Sequence, residues 1–249
     1  MTPHPPPTGL LFFDPSAERV ETAGRLPHWS QAGVVTFVTF RTWDSLPRAV
    51  LDRFFADRDG WLRANGIDPS QPGWEGRLRR SGATIAGNYN RFCSDRWEAD
   101  LDRCHGACPL RDPACAAVVA AALRHFDGDR YRLTDFVVMP NHVHMLAAFP
   151  DAASLQTQCK SWKRFTAVAL NRQLARSGRF WQEESFDHLV RSAEQFEYHR
   201  DYIADNPRRA NLHAGEFYHH SADLPYSLRR VAVTGPLAER ADYTPEANP

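Results

Sequence analysis

The sequence predicts an α+β fold. Three observations lead there: a β-branched and aromatic run at Val34–Phe40, two short apolar runs meeting at Pro140-Asn141, and amphipathic stretches of helical length on either side of them. Strands recur with helices between them, in a chain of 249 residues, long enough for one sizeable core or two small ones.

Residues 1 to 30 carry Pro3, Pro5, Pro6 and Pro7 and show no periodicity, so they read as a flexible lead-in ending near Leu26-Pro27-His28-Trp29. Val34–Phe40 is apolar or β-branched at every position, which predicts a strand buried on both faces. After Leu46-Pro47 a helix is expected over Arg48–Asp57, where Val50, Leu51, Phe54 and Phe55 recur at helical spacing. Residues 58 to 110 hold scattered glycines, prolines and tryptophans with weak periodicity. They read as a helical or irregular insertion.

Asp112-Pro113 marks a helix start, with the aspartate as N-cap and proline at the first helical position, and His125-Phe126-Asp127-Gly128 marks its end. Tyr131–Met139 is the next strand and runs into a tight turn. Ala153 to about Arg176 is a long amphipathic helix with Leu155, Cys159, Trp162, Thr166 and Ala169 on one side. Phe186–Arg191 is a fourth short strand. Ser192-Ala193-Glu194-Gln195 is a capping box, so a helix starts there, and Pro207 predicts its end at Asn206. Residues 31 to 215 then form a single domain interrupted by the insertion, and residues 216 to 249 a polar, proline-containing tail.

Formal net charge is zero, so any nucleic-acid surface must be a local patch. No apolar run reaches membrane-spanning length and no signal pattern opens the chain, which predicts a cytoplasmic protein. Five cysteines in that setting read as free thiols. Cys104-His105 with Cys108 and Cys115 invites a zinc reading, but no second ligand pair follows, and small buried thiols beside a turn fit as well.

Candidate chemistry centres on two places. His142 and His144, two apart on a strand, project from one face with Val143 behind them; they form a bidentate imidazole site or a pair of ordinary half-buried polar residues. On the last helix Tyr198, Tyr202 and Asn206 form one stripe, while Phe196 and Ile203 lie on another. One turn, about 5.4 Å, separates Tyr202 from Asn206, against about 11 Å from Tyr198. Packing explains such a stripe as readily as chemistry does. The chain's only lysines, Lys160 and Lys163, lie with Arg164 on the long helix and suit phosphate, or are simply a solvated face.

Pro-Asn-His-Val-His at 140–144, a basic helix, Phe-Trp-Gln-Glu-Glu-Ser-Phe-Asp-His at 180–188 and Asp-Tyr-Ile-Ala-Asp-Asn-Pro-Arg-Arg-Ala at 201–210 occur in that order. In this the chain resembles the REP-associated tyrosine transposases, of the His-hydrophobe-His single-strand DNA endonuclease superfamily, from about Leu26 to Ala210. It departs from them in Arg-Arg-Ala-Asn-Leu after Asn206-Pro207, where Ala-Gly-Leu is usual, and in a longer insertion.

The resemblance implies a ferredoxin-like antiparallel sheet with helices packed on one face. It implies His142, His144 and Asn206 as ligands of Mg²⁺ or Mn²⁺, although two imidazoles suit zinc or manganese better. Tyr202 is the implied nucleophile, forming a 5′-phosphotyrosine during nicking and strand transfer of single-stranded DNA next to a hairpin. Lys160, Lys163, Arg164, Arg208 and Arg209 are candidates for phosphate contacts, and Trp61, Trp74 and Trp97 for base stacking. A homodimer is an option; a membrane partner is not expected. Two other readings stay open: a domesticated, non-catalytic DNA-hairpin-binding protein, and a zinc hydrolase built on the two histidines.

Overall fold

A computed structural model describes residues 9–22 and 28–223. The described chain forms two compact units, one made of residues up to Ser45 and from Ala107 onward, the other of Leu46–Gly106. The boundary falls earlier than the expected insertion at 58–110. The helix after Leu46-Pro47 therefore belongs to the second unit.

In the first unit, strands β3 (Val35–Arg41), β4 (Arg132–Val138), β5 (His142–Ala148), β6 (Phe186–Leu189) and β7 (Tyr218–Ser221) form an antiparallel sheet in the order β6-β3-β5-β4-β7. Helix α4 (Pro113–Arg124) connects β3's side of the chain to β4, and α5 (Ala152–Gln173) connects β5 to β6. The core β3-α4-β4-β5-α5-β6 is thus the split βαβ arrangement of a ferredoxin-like sheet. Its fold class and antiparallel sheet agree with the sequence reading.

Both faces of this sheet are apolar, as the unbroken β3 run predicts. Val38, Phe40, Val143, Met145 and Phe136 pack against Val119 and Leu123 of α4 and Leu155, Cys159 and Trp162 of α5. On the opposite face Phe37, Val137, Leu146 and Ala148 pack against Phe196, Tyr202 and Ile203 of α6 (Ala193–Arg209). The two βαβ helices share one face, and α6, which follows the core, covers the other.

The capping signals at Asp112 and Ser192 act as read, and Asp151 adds a cap that the sequence reading did not name. Asp112 accepts from the Ala114 amide at 2.9 Å, and Asp151 from those of Ala153 and Ser154 at 3.0 and 2.9 Å. Ser192 Oγ accepts from the Gln195 amide at 3.2 Å, and the Gln195 side chain reaches back to the Arg191 amide at 2.7 Å.

The end of α6 differs from expectation. The helix passes through Pro207 to Arg209. It stops where Asn211 adopts a left-handed φ of 52° and the amides of Asn211 and Leu212 bond to the carbonyls of Arg208 and Pro207. This is a Schellman closure, with asparagine tolerating the left-handed position. Pro207 costs one internal hydrogen bond so near the end, and tertiary packing outweighs it; Pro207 itself is buried.

Part of the stretch read as lead-in is structured. β1 (Val20–Thr22) pairs antiparallel with β2 (His28–Ser30), Leu11 bridges to Val34, and Leu10 is buried in the α6-side core. The prolines at 3, 5, 6 and 7 lie outside the described residues, as does most of the expected tail. At the tail's start, Tyr218–Ser221 pairs with β4 as an edge strand.

The second unit is helical: α1 (Arg48–Ala64), α2 (Trp74–Arg80) and α3 (Ala83–Asp102). Phe54, Leu62, Ile67, Leu78, Tyr89 and Cys93 form its core, with Trp61, Trp74 and Trp97 packed against it. α1 outruns the expected Asp57 because Leu62 extends its buried stripe, until Gly66 turns the chain with a φ of 75°. All five cysteines are free. Among the described residues no group of three or more His, Cys, Asp or Glu is arranged to hold an ion.

Candidate active site

β5 and α6 carry the site. Sheet register sets Thr39 opposite His144 and Arg41 opposite His142. The period of two sends both histidines to the α6 face while Val143 enters the core of the α4–α5 face. Both imidazoles are buried. Phe37 stacks beside His144, with ring centroids 5.4 Å apart, and meets the Tyr202 ring edge-on at 6.0 Å.

Neighbours fix each ring. His142 Nδ1 lies 2.8 Å from Asn141 Oδ1, an acceptor, so Nδ1 carries the proton and Nε2 the lone pair. That Nε2 is buried and has no hydrogen-bond partner. His144 Nδ1 lies 2.7 Å from Thr39 Oγ1, and its Nε2 lies 3.3 Å from the Tyr202 hydroxyl. With the proton on Nδ1, the second lone pair also points to the space in front of Tyr202. Such partners orient ligating histidines at metal sites.

Asn206, one turn beyond Tyr202, is completely buried. Its carboxamide approaches His142 closely enough to favour that ring's charged form, yet neither Oδ1 nor Nδ2 reaches hydrogen-bond geometry with any partner. A buried polar atom without a partner costs on the order of 1–3 kcal/mol. Here three converge, His142 Nε2 and both Asn206 side-chain atoms, beside His144 Nε2.

Electrostatics keep the imidazoles neutral. Burial pushes His142 down to about 3, opposed in part by Asn206 and reinforced by Arg41. His144 falls well below the usual range through burial and then through the neighbouring His142, Arg209 and His199. A neutral ring with a lone pair on Nε2 is the state in which histidine binds a cation. Two imidazole nitrogens and an amide oxygen fit a divalent ion of intermediate hardness, manganese more readily than magnesium.

The structure thus brings His142, His144, Tyr202 and Asn206 together. Of the five basic candidates it adds Arg209, whose guanidinium lies 5.0 Å from the Tyr202 ring centroid. Arg208 turns outward and pairs with Asp205 at 2.5 and 2.8 Å. Lys160, Lys163 and Arg164 ride on α5, across the sheet from the histidines, and Lys163 donates to the Glu183 carbonyl at 2.5 Å. Trp61, Trp74 and Trp97 serve the second unit's core.

Sequence reasoning passed over three contributors. Thr39 and Arg41 could be found only by knowing the β3–β5 register. The third is the pair Arg200–Asp135: Arg200 Nε lies 3.0 Å from Asp135 Oδ2, both side chains largely buried, while Ser221 Oγ donates to Asp135 Oδ1 at 2.6 Å. This anchors α6 two residues before the tyrosine to β4 and β7. An acid, Asp135, within the strand expected over Tyr131–Met139 was the available signal.

Residues 117–206 match the family described as "Transposase IS200 like". No curated protein sequence matches the chain. Among solved structures, the REP-associated tyrosine transposase bound to a REP hairpin is similar at 14% identity over 75% of this chain and 74% of that one, with a TM-score of 0.36. The matched segment, residues 117–206, is the one that carries both histidines, the tyrosine and the asparagine, and over it the chain is similar to the IS200-like transposases.

Proposed function

We propose that the protein nicks and rejoins single-stranded DNA beside a hairpin, through a covalent 5′-phosphotyrosine at Tyr202. The observation that carries this reading is the convergence of the Tyr202 hydroxyl on His144 Nε2 at 3.3 Å, beside the unpartnered His142 Nε2 and Asn206 carboxamide. A DNA-binding module needs no such buried, unsatisfied group. A zinc hydrolase gives Tyr202 no task.

In this reading Tyr202 attacks the scissile phosphorus, losing its proton as the O–P bond forms. The P–O3′ bond breaks, its electron pair stays on the 3′ oxygen, and that oxygen takes up a proton to give a free 3′-hydroxyl. His142, His144 and Asn206 would hold a Mn²⁺ or Mg²⁺ ion, which when bound polarises the phosphate and offsets charge in the transition state. Thr39 and Asn141 keep the two imidazoles in the binding tautomer. Arg209, beside the Tyr202 ring, is the cation assigned to the reacting phosphate, while Lys160, Lys163, Arg164 and Arg208, which lie away from the site, would meet only more distant phosphates. The linkage conserves the phosphodiester, so a second 3′-hydroxyl can attack phosphotyrosine and restore the backbone, joining strands without another energy source.

The test is a labelled single-stranded oligonucleotide carrying a palindromic repeat, incubated with protein and Mn²⁺ and run on a denaturing gel. A slow, protease-sensitive band that requires the divalent ion supports the reading. Cleavage with no protein attached, or an adduct that persists in EDTA, contradicts it.

A further inference from the structure

Trp43 is 43% exposed, yet nothing about it is loose. Its amide donates to the Phe180 carbonyl at 2.9 Å, and its carbonyl accepts from the Gln182 side chain at 2.7 Å. The preceding Thr42 bridges to Trp181, which packs edge-on against Phe40. Over the indole lies the Arg179 guanidinium, 4.5 Å from the ring centroid. No carboxylate pairs with Arg179 among the described residues. The adjacent Asp44 accepts from the Ala107 amide instead.

The position matters as much as the surface. Trp43 follows Arg41 by two residues, and Arg41 is the register partner of His142. The Thr42 amide donates to the carbonyl of Asn141, whose side chain orients His142. Trp43 opens the turn that follows β3, directly after the residue bonded to Asn141. Trp29, under Arg19, is the other exposed indole stacked by an arginine, but its strand β2 pairs in register with β1 and not with the histidine strand.

We infer that Trp43 and Arg179 form a stacking platform for a nucleobase of the single strand, next to the phosphate that reaches Tyr202. An aromatic face backed by an unpaired guanidinium is the surface that holds unpaired bases: the ring supplies dispersion, the cation supplies attraction to the adjoining phosphate, and no sequence is demanded. The sequence reading assigned stacking to Trp61, Trp74 and Trp97, which the fold spends on a hydrophobic core. The inference rests on the single-strand DNA reading above.

It is tested by fluorescence anisotropy with labelled single-stranded oligonucleotides on the full chain, using Trp43→Ala, Trp43→Phe and Arg179→Ala, each checked for an unchanged far-ultraviolet spectrum. Loss of a stacked base costs a factor of about 5 to 150 in affinity. Trp43→Ala is expected to fall within that range, Trp43→Phe to recover most of it, and Arg179→Ala to lose severalfold. An abasic nucleotide is then walked through the oligonucleotide: one position should weaken wild type and leave Trp43→Ala unaffected, a result a merely structural tryptophan cannot produce. Wild type that binds single strands while Trp43→Ala binds them equally, or abasic penalties identical in both proteins, overturns the platform alone. Wild type that binds no single strand overturns the platform together with the reading it rests on.

Discussion

The Tyr202 hydroxyl stands 3.3 Å from Nε2 of His144, across 58 residues of chain. Neither side chain is placed by its neighbours in sequence alone. β3 fixes His144 through Thr39, and the sheet fixes Tyr202 through Phe37 and the Arg200–Asp135 anchor. The consequences can be measured one residue at a time.

Replacing Tyr202 with Phe removes only the hydroxyl that the proposal makes the attacking group. Cleavage and covalent adduct are expected to vanish while hairpin binding changes by less than about threefold, since the ring still packs against Phe37. Tyr198→Phe should keep most activity, because Tyr198 lies a further helical turn from Asn206 and its ring packs edge-on against His199. A gel assay and an anisotropy titration on the same preparations decide it. Activity surviving in Tyr202→Phe and lost in Tyr198→Phe reverses the assignment.

Removal of Asn206 tests the ligand set. Asn206→Ala should weaken Mn²⁺ binding in calorimetry at least about tenfold, in line with loss of a metal-site ligand or its supporting group. Folding stability should hold or rise, because two buried polar atoms without partners disappear. Unchanged Mn²⁺ affinity would remove Asn206 from the site.

Acid should unfold the metal-free protein early. The unfolded chain protonates His142 near 6.5, the folded chain only near 3. As pH falls below about 6.5 the unfolded state therefore binds a proton the folded state refuses. Stability declines from there toward pH 3 and is flat above. Urea midpoints in EDTA at pH 7.5 and 5 should differ in wild type and differ less in His142→Gln. An equal drop in both proteins would assign the acid sensitivity to other groups.

The Arg200–Asp135 pair is largely buried, so breaking it strands a charge. Arg200→Ala is expected to destabilise by about 3–5 kcal/mol, readable from denaturant midpoints. Arg200→Lys should recover part of that, lacking the geometry that serves both Asp135 and Ser221. Turnover of the folded fraction should fall more than DNA affinity, because α6 carries the proposed nucleophile. A loss below about 1 kcal/mol would show the anchor to be dispensable.

Much of this was legible in the sequence where physics is local. The β-branched run at β3, Asp112-Pro113 before α4, and Ser192 with Gln195 at α6 each encode their element within a few residues, and the structure follows them. The His142–His144 pair was readable because a strand's period of two needs no tertiary information. What depends on distant pairing was not readable: Tyr218–Ser221 closes the sheet edge against β4, and Thr39 reaches His144 only through register. Pro207 misled for a related reason. A local penalty at the last turn yields to burial and to the Asn211 closure, which a sequence shows only as one asparagine.

The central claim is tested most directly by trapping the covalent complex with a hairpin-flanked single strand, digesting it with nuclease and trypsin, and locating the residual nucleotide by mass spectrometry. Cleavage after Arg200 and Arg208 yields Asp201–Arg208, in which Tyr202 is the sole tyrosine. The account predicts a 5′-phosphonucleotide on that peptide. A nucleotide on the preceding peptide, which holds Tyr198, or strand cleavage with no modified peptide, would contradict it.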